Sequence, residues 1–339
     1  RPQDRIAIVV YAGSAGLVLP STPGTHKGRI ARALDELEAG GSTAGGAGIR
    51  LAYDVARENH IEGGNNRVIL ATDGDFNVGV SSDAEMVRLI EEKRRQGTFL
   101  TVLGFGTGNL KDSKMEKLAD HGNGNYAYID NIAEARKVLV TEMGGTLFTV
   151  AKDVKLQVEF NPARVHAYRL IGYENRMLAA EDFDDDRKDA GELGAGHTVT
   201  ALYEIVPAGV TGTVEVRESG ELRYHERPTV AAGARELAFV KLRYKQPDGA
   251  SSRLLEVPVR ARDAARASED LRFAAAVAAF GMLLRESEHR GAATYGDVIA
   301  LARDAVGTDD GGYRAEFVRL VRTAQELVMP RHAEGRGNW

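Results

Sequence analysis

The stretch Arg67-Val68-Ile69-Leu70-Ala71-Thr72-Asp73-Gly74 runs apolar at successive positions and then breaks on an aspartate and a glycine. A short strand with side chains apolar on both faces belongs inside a parallel sheet covered on both sides, whereas a half-exposed strand alternates. In an open parallel sheet the carboxyl ends of the strands are where ligands bind. Asp73 therefore stands at a position with functional meaning, although an Asp-Gly pair is also a common turn former and a turn-capping aspartate is the competing reading. Asp75 reads as a solvated neighbour rather than a ligand.

Outward from this stretch, residues 1–145 keep the same alternation. Further strands are expected at 6–11, 98–105 and 126–129, all taken as members of the parallel sheet. Helices are expected between them. Residues 48–59 place Ile49, Ala52, Tyr53 and Ala56 on one stripe. Residues 83–96, capped by Ser81 or Ser82, bury Met86, Leu89 and Ile90 and carry Lys93, Arg94 and Arg95 before Gly97, in keeping with the helix dipole and a glycine stop. A third helix, 131–143, is expected to stop at Gly144-Gly145. Alternating strand and helix specify an α/β doubly wound, mostly parallel sheet.

After Gly145 the period changes to strict alternation, beginning at Asp153-Val154-Lys155-Leu156-Gln157-Val158-Glu159-Phe160. Strands are expected at 153–160, 197–206, 213–218, 236–244 and 254–261, forming an antiparallel β-rich region or sandwich. The helical period returns near Ser268, with a capping box at Thr294 and Asp297 and a last helix at 314–328 before Pro330. The domain organisation read here is 1–145, a β-sandwich-like region at 146–262, and a helical segment at 263–335.

The composition, 43% hydrophobic and 27% charged over 339 residues, is that of an ordinary folded protein. A net charge of −5 leaves no basic footprint for nucleic acid. The absence of cysteine excludes disulfides and thiolate chemistry. No run of about 18 apolar residues is present to span a membrane.

Gly40-Gly41-Ser42-Thr43-Ala44-Gly45-Gly46 forms a glycine-rich turn leading into the helix at 48–59. The Thr43 hydroxyl is a candidate second oxygen ligand beside Asp73, while Ser42 reads as padding or a cap. Together the two segments resemble the von Willebrand factor A domain and its metal-ion-dependent adhesion site (MIDAS). That family builds one site from an Asp-x-Ser-x-Ser loop after its first strand, a lone Thr, and an Asp in a Thr-Asp-Gly context. Thr43 matches the second element and Thr72-Asp73-Gly74 the third. The first does not occur here, and with Arg1 lying five residues before a buried strand, an incomplete N-terminus lacking the first strand is expected. The segments 104–109, 116–120, 122–130, 142–148, 168–176 and 194–203 are similar to bacterial A-domain proteins of the YfbK type, in which a C-terminal YfbK domain follows. That resemblance implies a protein of the cell envelope or an exported one.

Other motifs fail. Gly104-Phe105-Gly106-Thr107-Gly108 lacks the third glycine of a dinucleotide cradle and reads as a tight turn. The acidic run 181–189 misses both the glycine and the closing glutamate of an EF-hand and reads as a solvated hairpin tip ahead of an irregular calcium site. The eight histidines show no zinc spacing. Glu174 and Glu204 are carboxylates with no evident partner, and no nucleophile–base set exists. The expectation is a non-enzymatic protein-binding module. The resemblance implies Mg²⁺ or a similar divalent cation in the intact protein, held partly by Thr43 and Asp73, with the open position taken by an acidic side chain of a partner. This chain alone, without the first loop, need hold no metal. The alternative is a metal-free structural scaffold of the bacterial envelope.

Overall fold

The computed structural model describes residues 1–11, 15–38, 40, 45–73, 83–106, 111–173, 177–188, 190–210, 236–247, 249–260 and 267–328. The chain forms two compact units, one of Arg1–Lys155, Asp184–Thr198 and Arg243–Leu254, the other of Leu156–Phe183, Val199–Leu242 and Leu255–Trp339.

In the first unit, β3 (Asn66–Thr72), β4 (Thr98–Phe105) and β5 (Tyr126–Ile129) form a parallel sheet in that order. Leu70 pairs with Val102, and Gly104 with Tyr128. On β4, Leu100 and Val102 share one face and Thr101 and Leu103 the other, and all four are buried. The Leu100 face packs on Ile49 and Tyr53 of α2 (Gly45–Glu58), Met86 and Ile90 of α3 (Asp83–Arg95), and Met115 and Leu118 of α4 (Asp112–His121). On the opposite face Leu103 joins Ile129 and Val138. β4 is thus buried on both faces, as its continuous apolar run requires. β3 departs from the same expectation: Leu70 and Thr72 are buried on one face, and Ile69, 45% exposed, and Ala71 lie exposed on the other.

Residues 6–11 depart from the expected role. They form β1 (Arg5–Val10), which pairs antiparallel with β2 (Gly16–Pro23), a strand not anticipated. Five residues separate the two, too few for a crossover, so a hairpin is the available connection. Ile6 is 43% exposed, so this strand is not covered on both faces. A short helix, α1 (Lys27–Asp35), follows.

The expected helix at 131–143 is also broken. It runs as α5 (Ile132–Arg136), a π-turn (Lys137–Thr141) and α6 (Met143–Leu147). Val138, Val140 and Thr141 are β-branched and crowd a regular helix, and the bond from Glu142 N–H to the Lys137 carbonyl, 2.7 Å, spans the wider turn. Gly144-Gly145 is no stop signal, because both lie inside α6. The glycine that the close approach of β8 requires is Gly194, where a Cβ would fall 1.6 Å from the Gly145 carbonyl oxygen.

Next comes β6 (Thr149–Phe160), with β7 (Val165–Ile171), β8 (Gly191–Gly194), β9 (Leu202–Pro207), β10 (Glu236–Lys245) and β11 (Ser252–Arg260) after it. The sheet order is β11-β10-β6-β8, and β7 pairs antiparallel with β9. The strand expected at 213–218 lies outside the described residues. The acidic run is anchored rather than a free tip. Lys155 Nζ donates to the Asp185 carbonyl at 2.5 Å and Lys245 Nζ to the Asp186 carbonyl at 2.6 Å. Lys245 also pairs with Asp153 at 2.7 Å, with side chains only 10% and 16% exposed. These ammonium groups satisfy the carbonyls that a calcium ion would need and oppose a second cation.

In the second unit, α7 (Glu269–Leu284), α8 (Tyr295–Arg303) and α9 (Tyr313–Val328) enclose a core of Ala276, Phe280, Val298, Ala302, Val318 and Val321. Ser268 caps α7, and the Thr294–Asp297 capping box forms as expected. Asp309 accepts the Arg314 and Ala315 amides that open α9, at 3.2 and 2.8 Å.

Two predictions follow from this packing. Replacing Lys245 with Met strands Asp153 without its cation and should cost about 3 kcal/mol in denaturant unfolding; a loss below about 1 kcal/mol would show that water takes over the role. Backbone amides hold the carboxylates of Asp309 and Asp297 below their ordinary range, the Thr294 hydroxyl contributing most at Asp297. A depressed folded-state pKa adds stability that is present above the unfolded value and lost as pH falls through the folded one. Helical-unit stability should therefore decline on acidification below about pH 4, and Asp309→Asn should flatten that decline in melting curves taken across pH.

Candidate functional site at the carboxyl edge of the sheet

Asp73 follows the last residue of β3 and is exposed, while Thr72 beneath it is 4% exposed. The strand, buried on the face of Leu70 and Thr72, thus delivers one carboxylate to solvent at its carboxyl end. Asp73 has no hydrogen-bond partner among the described residues.

Three other groups build this edge. Tyr11, just past β1, donates its hydroxyl to the Ala71 carbonyl at 2.6 Å. Its Cβ lies against the first turn of α2, where a Cβ on Gly48 would fall 2.4 Å away. Burial raises the Tyr11 phenol above its ordinary pKa, the hydrogen bond with Thr72 opposes this, and the charge of Asp73 adds to it. The hydroxyl is therefore a protonated donor at neutral pH. Gly106, after β4, has φ +86°, and a Cβ there would stand 3.9 Å from Asp73 Cβ. That left-handed conformation explains the glycine, while Thr107 and Gly108 of the expected turn lie outside the described residues. Tyr128 of β5 donates its hydroxyl to the Gly106 carbonyl at 2.8 Å.

Thr43 and Ser42 lie outside the described residues, as do Asp75, Ser81 and Ser82. Thr43 precedes the first residue of α2 by two positions in sequence. The donor chemistry of Asp73 fits a hard divalent cation, which prefers about six oxygen ligands. Among the described residues no group of three or more His, Asp or Glu gathers to hold an ion. Asp73 thus fits as one ligand of several, the others having to come from elsewhere.

The remaining sequence candidates resolve as structural groups. His121 Nδ1 lies 2.9 Å from Glu91. Glu204, read as lacking a partner, is paired with Arg169 at 2.5 Å. Glu174 is outside the described residues. Tyr11 and Tyr128 were not singled out from sequence. An aromatic directly after an apolar strand run was the available signal for Tyr11, and it reads equally well as strand.

Asp73→Asn should leave the unfolding free energy within about 0.5 kcal/mol of wild type, since the side chain is exposed and unengaged. A larger loss in chemical denaturation would make Asp73 a turn cap instead.

The model of the von Willebrand factor type A domain matches residues 1–140, and that described as "Uncharacterized protein YfbK, C-terminal" matches residues 145–327. The chain is 47% identical over 330 residues to the uncharacterized protein YfbK of Escherichia coli K12, covering 97% of this chain and 56% of that protein. It therefore spans little more than half the length of that relative. Among solved structures, a von Willebrand factor type A protein from Catenulispora acidiphila is 16% identical with a TM-score of 0.45, covering 94% of this chain and 73% of the other. Proximal thread matrix protein 1 of the mussel byssus, with a zinc-occupied MIDAS motif, is 18% identical with a TM-score of 0.33, covering 42% and 36%. At these TM-scores neither structure bears on the site. Among the described residues no helix is long and apolar enough to cross a membrane. By the two matched models, the chain belongs to the YfbK family, with a von Willebrand factor type A domain followed by the YfbK C-terminal domain.

Proposed function

We propose that this protein is a non-enzymatic binding module that captures an acidic group of a protein partner through a divalent cation held at the carboxyl edge of β3. The observation that carries this reading is the Asp73 carboxylate. It is exposed at the end of a parallel strand buried on one face, without a hydrogen-bond partner among the described residues, in a domain of the A type. Thr43 is the second ligand that the family resemblance implies.

When bound, the cation supplies a positive centre with a position left for a carboxylate oxygen of the partner. The chain's own residues do the rest. Asp73 offsets part of the ion's charge, and the rigid ends of β3 and β4 keep the carboxylate facing solvent. Thr72, buried below, holds the strand end in register with Gly104. Specificity then comes from complementarity to the edge, and affinity from one charge-assisted bond.

The test is partner capture by the full-length gene product, with and without EDTA, beside the Asp73→Ala variant. Chelation and the substitution should each abolish binding, and added Mg²⁺ should restore it only to wild type. Binding that survives both treatments would make the A domain a metal-free scaffold.

A further inference from the structure

We infer that Tyr11 is a positioning residue for the cation site, a role that rests on the cation-dependent reading above. Among the described residues β3 is hydrogen-bonded to β4 and β1 to β2, so sheet pairing does not tie the end of β3 to the elements on its other side. Leu70 of β3 packs in one core with Ile49 and Tyr53 of α2, and Tyr11 adds the polar tie at the strand end. Its hydroxyl fixes the peptide at Ala71, two residues before Asp73, at 2.6 Å. Its Cβ is in direct contact with the backbone of the first turn of α2, where Gly48 leaves no room for a methyl group. One side chain thus sets the direction in which β3 delivers Asp73 and the height at which the chain enters α2.

A ligand set must be held within about 0.5 Å to bind an ion well, and groups that orient ligands from outside the coordination shell are worth about 10- to 100-fold in metal affinity. The ring of Tyr11 packs while its hydroxyl orients, so Phe separates the two. Gly48→Ala leaves the hydroxyl intact and pushes α2 off the Tyr11 Cβ.

The experiment is calorimetric titration of the full-length gene product with MgCl₂ alone, comparing wild type, Tyr11→Phe, Gly48→Ala and Asp73→Ala, together with melting curves recorded in EDTA. Tyr11→Phe is expected to weaken Mg²⁺ binding about tenfold or more while shifting the EDTA melting temperature only slightly. Gly48→Ala should weaken it likewise, and Asp73→Ala should remove it. Mg²⁺ affinity of Tyr11→Phe within about twofold of wild type would overturn the positioning role and leave the cation reading standing. Should Tyr11→Phe fail to fold, the same twofold criterion applies to Gly48→Ala. No Mg²⁺ binding by wild type would overturn the cation reading itself, and the positioning role with it.

Discussion

The place of the candidate site depends on β4 being buried on both faces. Leu100 and Val102 fill one side and Thr101 and Leu103 the other, so helices must cover both sides of the sheet and each connection must cross over it. Crossovers of one hand keep neighbouring strands parallel, and parallel strands end together. The ends of β3 and β4 therefore meet at one edge, where Asp73 and Gly106 stand close to each other. Tyr11 adds one local tie at the end of β3. The location of the site is a consequence of how the core is covered.

The parts of the fold legible in the sequence are those where burial acts on many residues at once. The apolar run at 67–72, the stripe of Ile49 and Tyr53, and the acid-to-base gradient of residues 83–95 each repeat one message over several positions. The Ser268 cap and the Thr294–Asp297 capping box are readable because a cap needs a particular side chain at a particular spacing. What escaped were features decided by a single geometric requirement. The β1–β2 hairpin follows from the short connection rather than from any residue pattern. The π-turn at Lys137–Thr141 depends on crowding among β-branched side chains that individually fit a helix. Gly144 and Gly145 look like a helix stop in sequence, yet they lie inside a short helix, and the glycine that the approach of β8 requires is Gly194.

The candidate site divides in the same way. Asp73 was visible because a strand end followed by a carboxylate and a glycine carries meaning in sequence. Tyr11 was not, since nothing in an apolar strand run tells that its last aromatic will bridge two other elements. The acidic run at 181–189 was misread for a related cause. Its partners Lys155, Lys245 and Arg243 lie far away in sequence on alternating strands, where a charged residue ordinarily marks the solvent face. Two buried lysines reaching backbone carbonyls reverse that rule, and they anchor a run that reads in sequence as a solvated hairpin tip.

The central claim, that a divalent cation binds where β3 ends, is tested most directly by adding Mn²⁺ to the isotope-labelled full-length gene product and following amide resonances. Paramagnetic broadening should be strongest at Asp73, Gly106 and the first turn of α2, and absent at Asn66 and Thr98, which lie at the opposite ends of the same strands. Broadening centred elsewhere, such as the acidic run at 181–189, or none at all at stoichiometric Mn²⁺, would contradict it.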